Sequence, residues 1–193
     1  MSFRDRDFLE SISQNVETIL SLQNQIPEIV NCVELITKTL MKKNKVFICG
    51  NGGSAAQAEH FSTEFLVRLN PNVNRNPYPI IPLSFNNSHL TACANDYNFE
   101  DIFAKTLQGL ATKNDCLIVL STSGKSKNIL KVLKLSKKLK IKSIGFLGLK
   151  LKKLKLADFN LFVNSSDTAR IQEAHLFLGH FILNEVEKNL AIK

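Results

Sequence analysis

An α/β fold with a mainly parallel sheet is what this sequence predicts. Two observations carry that reading. Short β-rich apolar runs alternate with segments of helical period along most of the chain. Turns rich in glycine or serine stand directly after two of those runs and directly before helices. No internal repeat or dividing linker is visible, so the 193 residues read as a single domain, 1–193.

The elements follow in order. Residues 1–43 form an N-terminal helical extension of two helices. Phe8, Ile12, Val16 and Ile19/Leu20 recur at helical spacing, and so do Ile29, Val33, Ile36 and Leu40. Pro27 suits an early position of the second helix. The α/β core, 44–193, begins where the period changes: Lys45-Val46-Phe47-Ile48-Cys49, closed by Gly50, reads as a buried strand. A helix is expected over about Ser54 to Arg68. Asn70 to Pro79, with three prolines and four asparagines, is a loop. Ile80 to Phe85 is a second strand, weakened by Pro82, which has no ladder donor. Two short helical stretches lead to the apolar strand Cys116–Leu120, a turn at Ser121–Ser126 and an amphipathic helix over Asn128–Leu139. Ser143–Leu147 and Phe159–Val163 are the remaining strands, and a long helix runs from about Thr168 to Asn189. That last helix is apolar nearly all round, through Ile171, Leu176, Phe177, Leu178, Phe181, Ile182, Leu183 and Val186. Such a helix needs burial on several sides, which together with the N-terminal helices points to a homo-oligomer.

Composition narrows the function classes. Hydrophobic residues are 44% and charged residues 22%, which excludes a disordered, collagenous or low-complexity chain. No apolar run approaches the ~20 residues of a membrane span. No apolar segment follows Met1–Asp7 as a secretory signal would require, so a cytoplasmic location is expected. The net charge of +8 attracts anions generally, sugar phosphates and nucleic acid included. The lysines concentrate between Lys125 and Lys155 with no nucleic-acid motif beside them, so the expectation is a solvated surface and not a nucleic-acid partner. Cys32, Cys49, Cys93 and Cys116 form no CxxC and read as reduced, mostly buried thiols.

Ligands of open α/β sheets bind beyond the carboxyl ends of the strands, near the switch point. Two turns qualify. Gly50-Asn51-Gly52-Gly53-Ser54-Ala55 fits the loose pattern GxGxxA, but a dinucleotide site also wants an acid about 20 positions on, and that region has none. The glycines alone also suit a tight strand-to-helix turn. Ser121-Thr122-Ser123-Gly124-Lys125-Ser126 puts four hydroxyls at the start of a helix, where free N–H groups and the helix dipole favour an anion. Simple N-capping would use one hydroxyl, so the four point to a phosphate cradle. The spacing of a Walker loop is absent.

His60 and Glu64, at i and i+4, share a helix face, with Arg68 continuing it. An imidazole and a carboxylate there can hold a divalent ion, although such a pair is commonly a surface hydrogen bond. The last helix adds Gln172, Glu173, His175 and His180, among which spacing does not choose. Gln172 and His180 can line one pocket wall; on spacing alone His175 fits an ordinary surface or interface histidine as well as it fits a ligand.

These segments, together with Ala94-Asn95-Asp96 and Arg170-Ile171-Gln172-Glu173-Ala174-His175, occur in one order along nearly the whole chain. The chain thereby resembles the sugar isomerase (SIS) domain family, and within it the phosphoheptose isomerases. The STSG turn is common to all SIS proteins; its combination with His60, Glu64, Gln172 and His180 is far more specific. The resemblance implies a flavodoxin-like, five-stranded parallel sheet and a homotetramer with sites shared between subunits. It implies one Zn2+ per subunit on His60, Glu64, Gln172 and His180. Ser121, Thr122, Ser123 and Ser126 should hold a phosphate, and Asn51, Gly52, Gly53, Asn95 and Asp96 should contact the sugar, with Arg68 and Gln172 completing the substrate set. The implied reaction converts sedoheptulose 7-phosphate to D-glycero-D-manno-heptose 7-phosphate for bacterial lipopolysaccharide or capsule, with Glu64 as base and His180 as acid/base at the oxygens. Lys125 stands where the family commonly has asparagine or aspartate, and Leu149–Lys155 replaces a glycine-rich stretch with what reads as a solvated basic face. A different class, the non-catalytic SIS tetramers that bind the DnaA replication initiator, shares the fold; the metal and acid/base residues discriminate the two.

Overall fold

Strands β1 (Val46–Cys49), β2 (Ile80–Pro82), β3 (Cys116–Ser121), β4 (Lys142–Gly148) and β5 (Phe159–Val163) form one sheet in the order β2-β1-β3-β4-β5. Every neighbouring pair is parallel. This is the flavodoxin-like order, with its switch point between β1 and β3. The computed structural model describes residues 3–84, 86–148 and 156–191. Phe85 and the basic stretch Leu149–Lys155 lie outside the described residues.

The strands are apolar runs because both faces are covered. Val46, Ile48, Cys116, Ile118, Leu120, Ile144 and Phe146 face one layer of helices. That layer holds α2 (Ile26–Met41), α3 (Gly53–Leu66) and α7 (Thr168–Ala191). Phe47, Cys49, Leu117 and Val119, alternating with them, face α4 (Asn87–Asp96), α5 (Ile102–Leu110) and α6 (Lys127–Lys138). Side chains of successive strand residues point to opposite faces, so two covered faces demand an unbroken apolar run. The first helix, α1 (Phe3–Leu20), packs on α7. Its Phe8, Ile12, Val16 and Leu20 stay exposed, as do Phe177 and Phe181 of α7.

Several expectations shift in detail. Pro27 stands in the first turn of α2 as expected. The second strand stops at Pro82, an edge position where a missing N–H costs nothing. At the opposite edge the Gln25 carboxamide imitates a strand residue: its Nε2 donates to the Phe162 carbonyl (2.6 Å) and its Oε1 accepts from the Phe162 N–H (2.7 Å). The α3 helix ends at Leu66, two residues before the expected Arg68. The ends of α2 and α6 are closed by lysines in the left-handed region, Lys43 (φ 60°) and Lys140 (φ 59°). Asn44 N–H reaches back to the Thr39 carbonyl and Ile141 N–H to that of Ser136, as in a Schellman turn.

All four cysteines are free and buried. Burial, helped by Glu28, pushes the Cys32 thiol up to about 12. Burial likewise raises Cys49 and Cys116, so these thiols stay protonated. No helix among the described residues is long and apolar enough to cross a membrane.

Candidate active site

Both loops singled out in the sequence lie at the switch point. After β1 the chain turns sharply: a Cβ at Gly50 would stand 2.6 Å from that of Ser54, so only glycine lets α3 start so close to the strand. Gly52 follows at φ +57°, again a glycine position. After β3, Gly124 likewise has a positive φ (+57°), and its N–H donates to Ser121 Oγ (3.0 Å). Lys125 N–H donates to Ser123 Oγ (3.3 Å). Ser126 occupies the N-cap of α6, yet its hydroxyl makes no capping bond. The cap is therefore not its task, and the hydroxyl is available beside the N-terminus of α6.

The two loops are tied together. Asn51 and Asn128 exchange amides, Asn51 Nδ2 donating to Asn128 Oδ1 (3.0 Å) and Asn128 Nδ2 to Asn51 Oδ1 (2.8 Å). Asn128 is buried, and its Oδ1 also takes the Ile129 N–H (2.9 Å). This residue has no signature in the sequence beyond its place at the start of a helix.

His60 and Glu64 project from α3, and His180 projects from α7. The two helices run side by side in the same direction: Gly53 and Gln57 meet Gln172, and His60 meets His180. His60 Nε2 and His180 Nε2 are 2.9 Å apart, and each is 3.3 Å from Glu64 Oε1. Both imidazoles are half-exposed, whereas the Glu64 side chain is only 15% exposed. Glu64 Oε2 is buried without a hydrogen-bond partner.

This donor set fits a zinc ion. Tetrahedral ligands at ~2.0–2.1 Å stand about 3.3 Å from one another, close to the triangle found here. Two imidazole nitrogens and a carboxylate oxygen turned to one point are mutually satisfied by a cation. An unpartnered buried carboxylate oxygen beside them otherwise costs free energy. Three ligands leave a fourth position, open to a further side chain, a substrate oxygen or water. Gln172, two turns before His180, lies with its carboxamide over Gly53, where a Cβ would stand 2.7 Å from Nε2.

Comparison with known proteins gives the family. Residues 7–148 match the family model described as SIS domain. A phosphoheptose isomerase of Helicobacter pylori strain P12 is 39% identical over 189 residues, 97% of this chain and 96% of its own. One from Clostridium acetobutylicum is 39% identical over 183 residues, 94% and 92% of the two chains. The chain belongs to the SIS domain family, among its phosphoheptose isomerases. It is an isomerase. A solved phosphoheptose isomerase from Francisella tularensis superposes with a TM-score of 0.90 at 30% identity, covering 97% of this chain and all of that one. That from Neisseria gonorrhoeae gives 0.87 at 29%, with the same coverage.

Not every residue expected from the family gathers at one point within the chain. Asn95 and Asp96 stand exposed at the end of α4, bonded to each other (Asn95 Nδ2 to Asp96 Oδ1, 2.9 Å). Arg68 does not continue the α3 face, because the helix has ended; its guanidinium donates to the Pro71 carbonyl (3.2 Å). His175 is no surface histidine. It is fully buried beside Phe146, ring centroids 5.9 Å apart, and burial pushes its pKa down to about 3. It stays neutral and takes no part in the donor group. Sequence reasoning also misses Gly179. A Cβ there would collide with the Phe61 ring, so glycine is what lets α3 and α7 approach.

Proposed function

We propose that the protein converts sedoheptulose 7-phosphate to D-glycero-D-manno-heptose 7-phosphate through an enediolate. The observation that carries this reading is the convergence of His60, Glu64 and His180 beside one point, from two helices whose neighbouring loops suit a phosphosugar. Ser121, Thr122, Ser123 and Ser126 hold the phosphate at the N-terminus of α6, with Lys125 adding positive charge nearby. Asn51, Gly52 and Gly53 line the sugar side. Asn95, Asp96 and Arg68 come to the substrate across subunits in a homotetramer, for which the exposed apolar rows on α1 and α7 supply contact surface.

Ketose-to-aldose conversion removes a proton from C1, leaves an enediolate and returns a proton to C2, while the hydroxyl proton moves from one oxygen to the other. Glu64 takes and returns the carbon-bound proton; His180 serves the oxygens. His60, Glu64 and His180 would hold one Zn2+, and Gln172, whose carboxamide lies over Gly53, would join them only by turning toward the ion. That ion, when bound, polarises the substrate oxygens and offsets their developing negative charge. The chain works in the cytoplasm, where sugar phosphates are made, and feeds bacterial heptose synthesis. A non-catalytic DnaA-binding role predicts erosion of the donor set, and here all four residues are present, with His60, Glu64 and His180 close together.

The test is direct. Purified protein is incubated with sedoheptulose 7-phosphate in D2O, with and without chelator. The reading expects aldose carrying deuterium at C2 and loss of turnover with chelator; no aldose from zinc-loaded protein overturns it.

A further inference from the structure

Arg75 sits in the long loop between α3 and β2, outside every motif of the sequence, yet its side chain is only 7% exposed and that of its partner Glu187 only 2%. Arg75 Nε donates to Glu187 Oε1 (2.6 Å). Its two terminal nitrogens turn the other way: Nη2 donates to the Glu64 carbonyl (2.9 Å) and Nη1 to the Phe65 carbonyl (2.8 Å). Those carbonyls belong to the last turn of α3, which lacks intrahelical partners and carries the negative end of the helix dipole. The guanidinium is flanked by the rings of Phe65 and Tyr78, 5.0 and 5.3 Å from their centroids. Glu187 Oε2 takes the Asn70 N–H (3.2 Å). The geometry is therefore fixed by these four polar contacts and two ring faces in a largely buried pocket.

Glu187 lies on α7, seven residues after His180, and Glu64 is itself a donor of the candidate metal group. One guanidinium thus clamps the backbone of Glu64 to the helix that carries His180. We propose that Arg75, anchored by Glu187, is a positioning residue for the metal: it fixes the end of α3 so that Glu64 and His60 meet His180 at ion-binding distance. The proposal rests on the metal reading given above. A lysine would not replace it, since an ammonium lacks the planar fork that reaches a carboxylate on one side and two carbonyls on the other. Partners behind metal ligands typically tune affinity about 10–100-fold.

The experiment uses the full chain stripped of metal and loaded with Co2+ or Zn2+. Removing Arg75 alone would strand a buried carboxylate, so the variants are Glu187→Gln, which keeps the shape, and the double Arg75→Met/Glu187→Met, which removes both charges. Metal affinity is read by chelator competition, ligand geometry by the Co2+ absorption spectrum, and the hydroxyl loop independently by inorganic phosphate binding. The expected result is about tenfold or greater loss of metal affinity, an altered Co2+ spectrum and a lower kcat, with phosphate affinity and KM little changed. Wild-type affinity and spectrum in both folded variants overturn the proposal while leaving the metal reading standing. A wild-type protein that takes up no ion overturns both. Equal loss of metal and phosphate binding marks a general structural role and also overturns it.

Discussion

Phe61 lies with its ring directly on Gly179, and the residues that precede and follow them in sequence, His60 and His180, meet edge to edge at 5.1 Å between centroids. The absence of one side chain on α7 thus decides how near α3 can come. The donor group depends on that approach as much as on the donors.

Gly179→Ala accordingly tests the approach. Overpacking of this kind typically costs about 1–3 kcal/mol. The unfolding free energy in urea is expected to fall by that amount, and metal uptake to weaken in the protein that remains folded. Unchanged stability and unchanged metal affinity would show that the helices are held apart by something else.

Glu64→Gln keeps the side-chain shape and removes the base. Turnover is expected to drop by about 10²–10⁴-fold with the far-UV circular dichroism unchanged. Substantial residual activity in the zinc-loaded variant would take Glu64 out of the base role.

Asn128→Ala strands the Asn51 carboxamide at the switch point. Losing a partner of a buried polar group costs about 1–3 kcal/mol. The expected signature is a higher KM for the sugar phosphate and weaker inorganic phosphate binding, with Zn2+ affinity close to wild type, since the amide pair joins loops and not donor helices.

His175 gives a pH prediction. Its folded pKa, about 3, lies below the ordinary histidine value of 6.5, because burial disfavours the charged ring. Only the unfolded chain takes the proton as pH falls between those values, so the native state loses stability going down from 6.5 towards 3. The contribution is full above 6.5 and its loss approaches about 1.4 kcal/mol per pH unit within that window. Measured in chelator at pH 7, 5.5 and 4.5, His175→Leu should lose stability less steeply than wild type; parallel curves would contradict the burial argument.

Lys140→Gly removes a left-handed strain at the end of α6 that lysine bears at φ 59°. Relief of the conformation, of order 1–2 kcal/mol, exceeds the added chain entropy of glycine, about 0.5–1 kcal/mol. A rise in the urea midpoint is expected, and a fall would show the lysine stem to be worth more than its backbone costs.

The sheet is legible in the sequence because its strands are buried on both faces and therefore read as unbroken apolar runs. His60 and Glu64 are legible because i,i+4 spacing alone places them together. His180 is not separable from His175 on spacing. The two lie about 140° apart around α7 at 3.6 residues per turn, and only packing against β4 says which one turns inward. Asn128, Gly179 and Arg75 act through tertiary contacts whose partners are 77, about 118 and 112 positions away in the chain. No local pattern announces such partners. Val67 and Arg68 carry no breaker, so the sequence does not show where α3 ends; there the Glu64 carbonyl is taken by Arg75 and the Phe65 carbonyl by Arg75 and the Tyr78 N–H, partners distant in the chain.

Pro82 and Gln25 have a consequence for how copies of the chain can meet. An open sheet with free outer rims invites other strands to add on, the route to edge-to-edge stacking and fibres. Here one rim ends in an imide that cannot donate, and Ser62 occupies the Ile80 carbonyl beside it (2.6 Å). The other rim is plugged by a side-chain amide from the N-terminal segment. Self-association is thereby steered away from strand addition and left to helix faces, and Gln25→Ala should make the protein measurably more prone to form thioflavin-positive aggregates on mild heating.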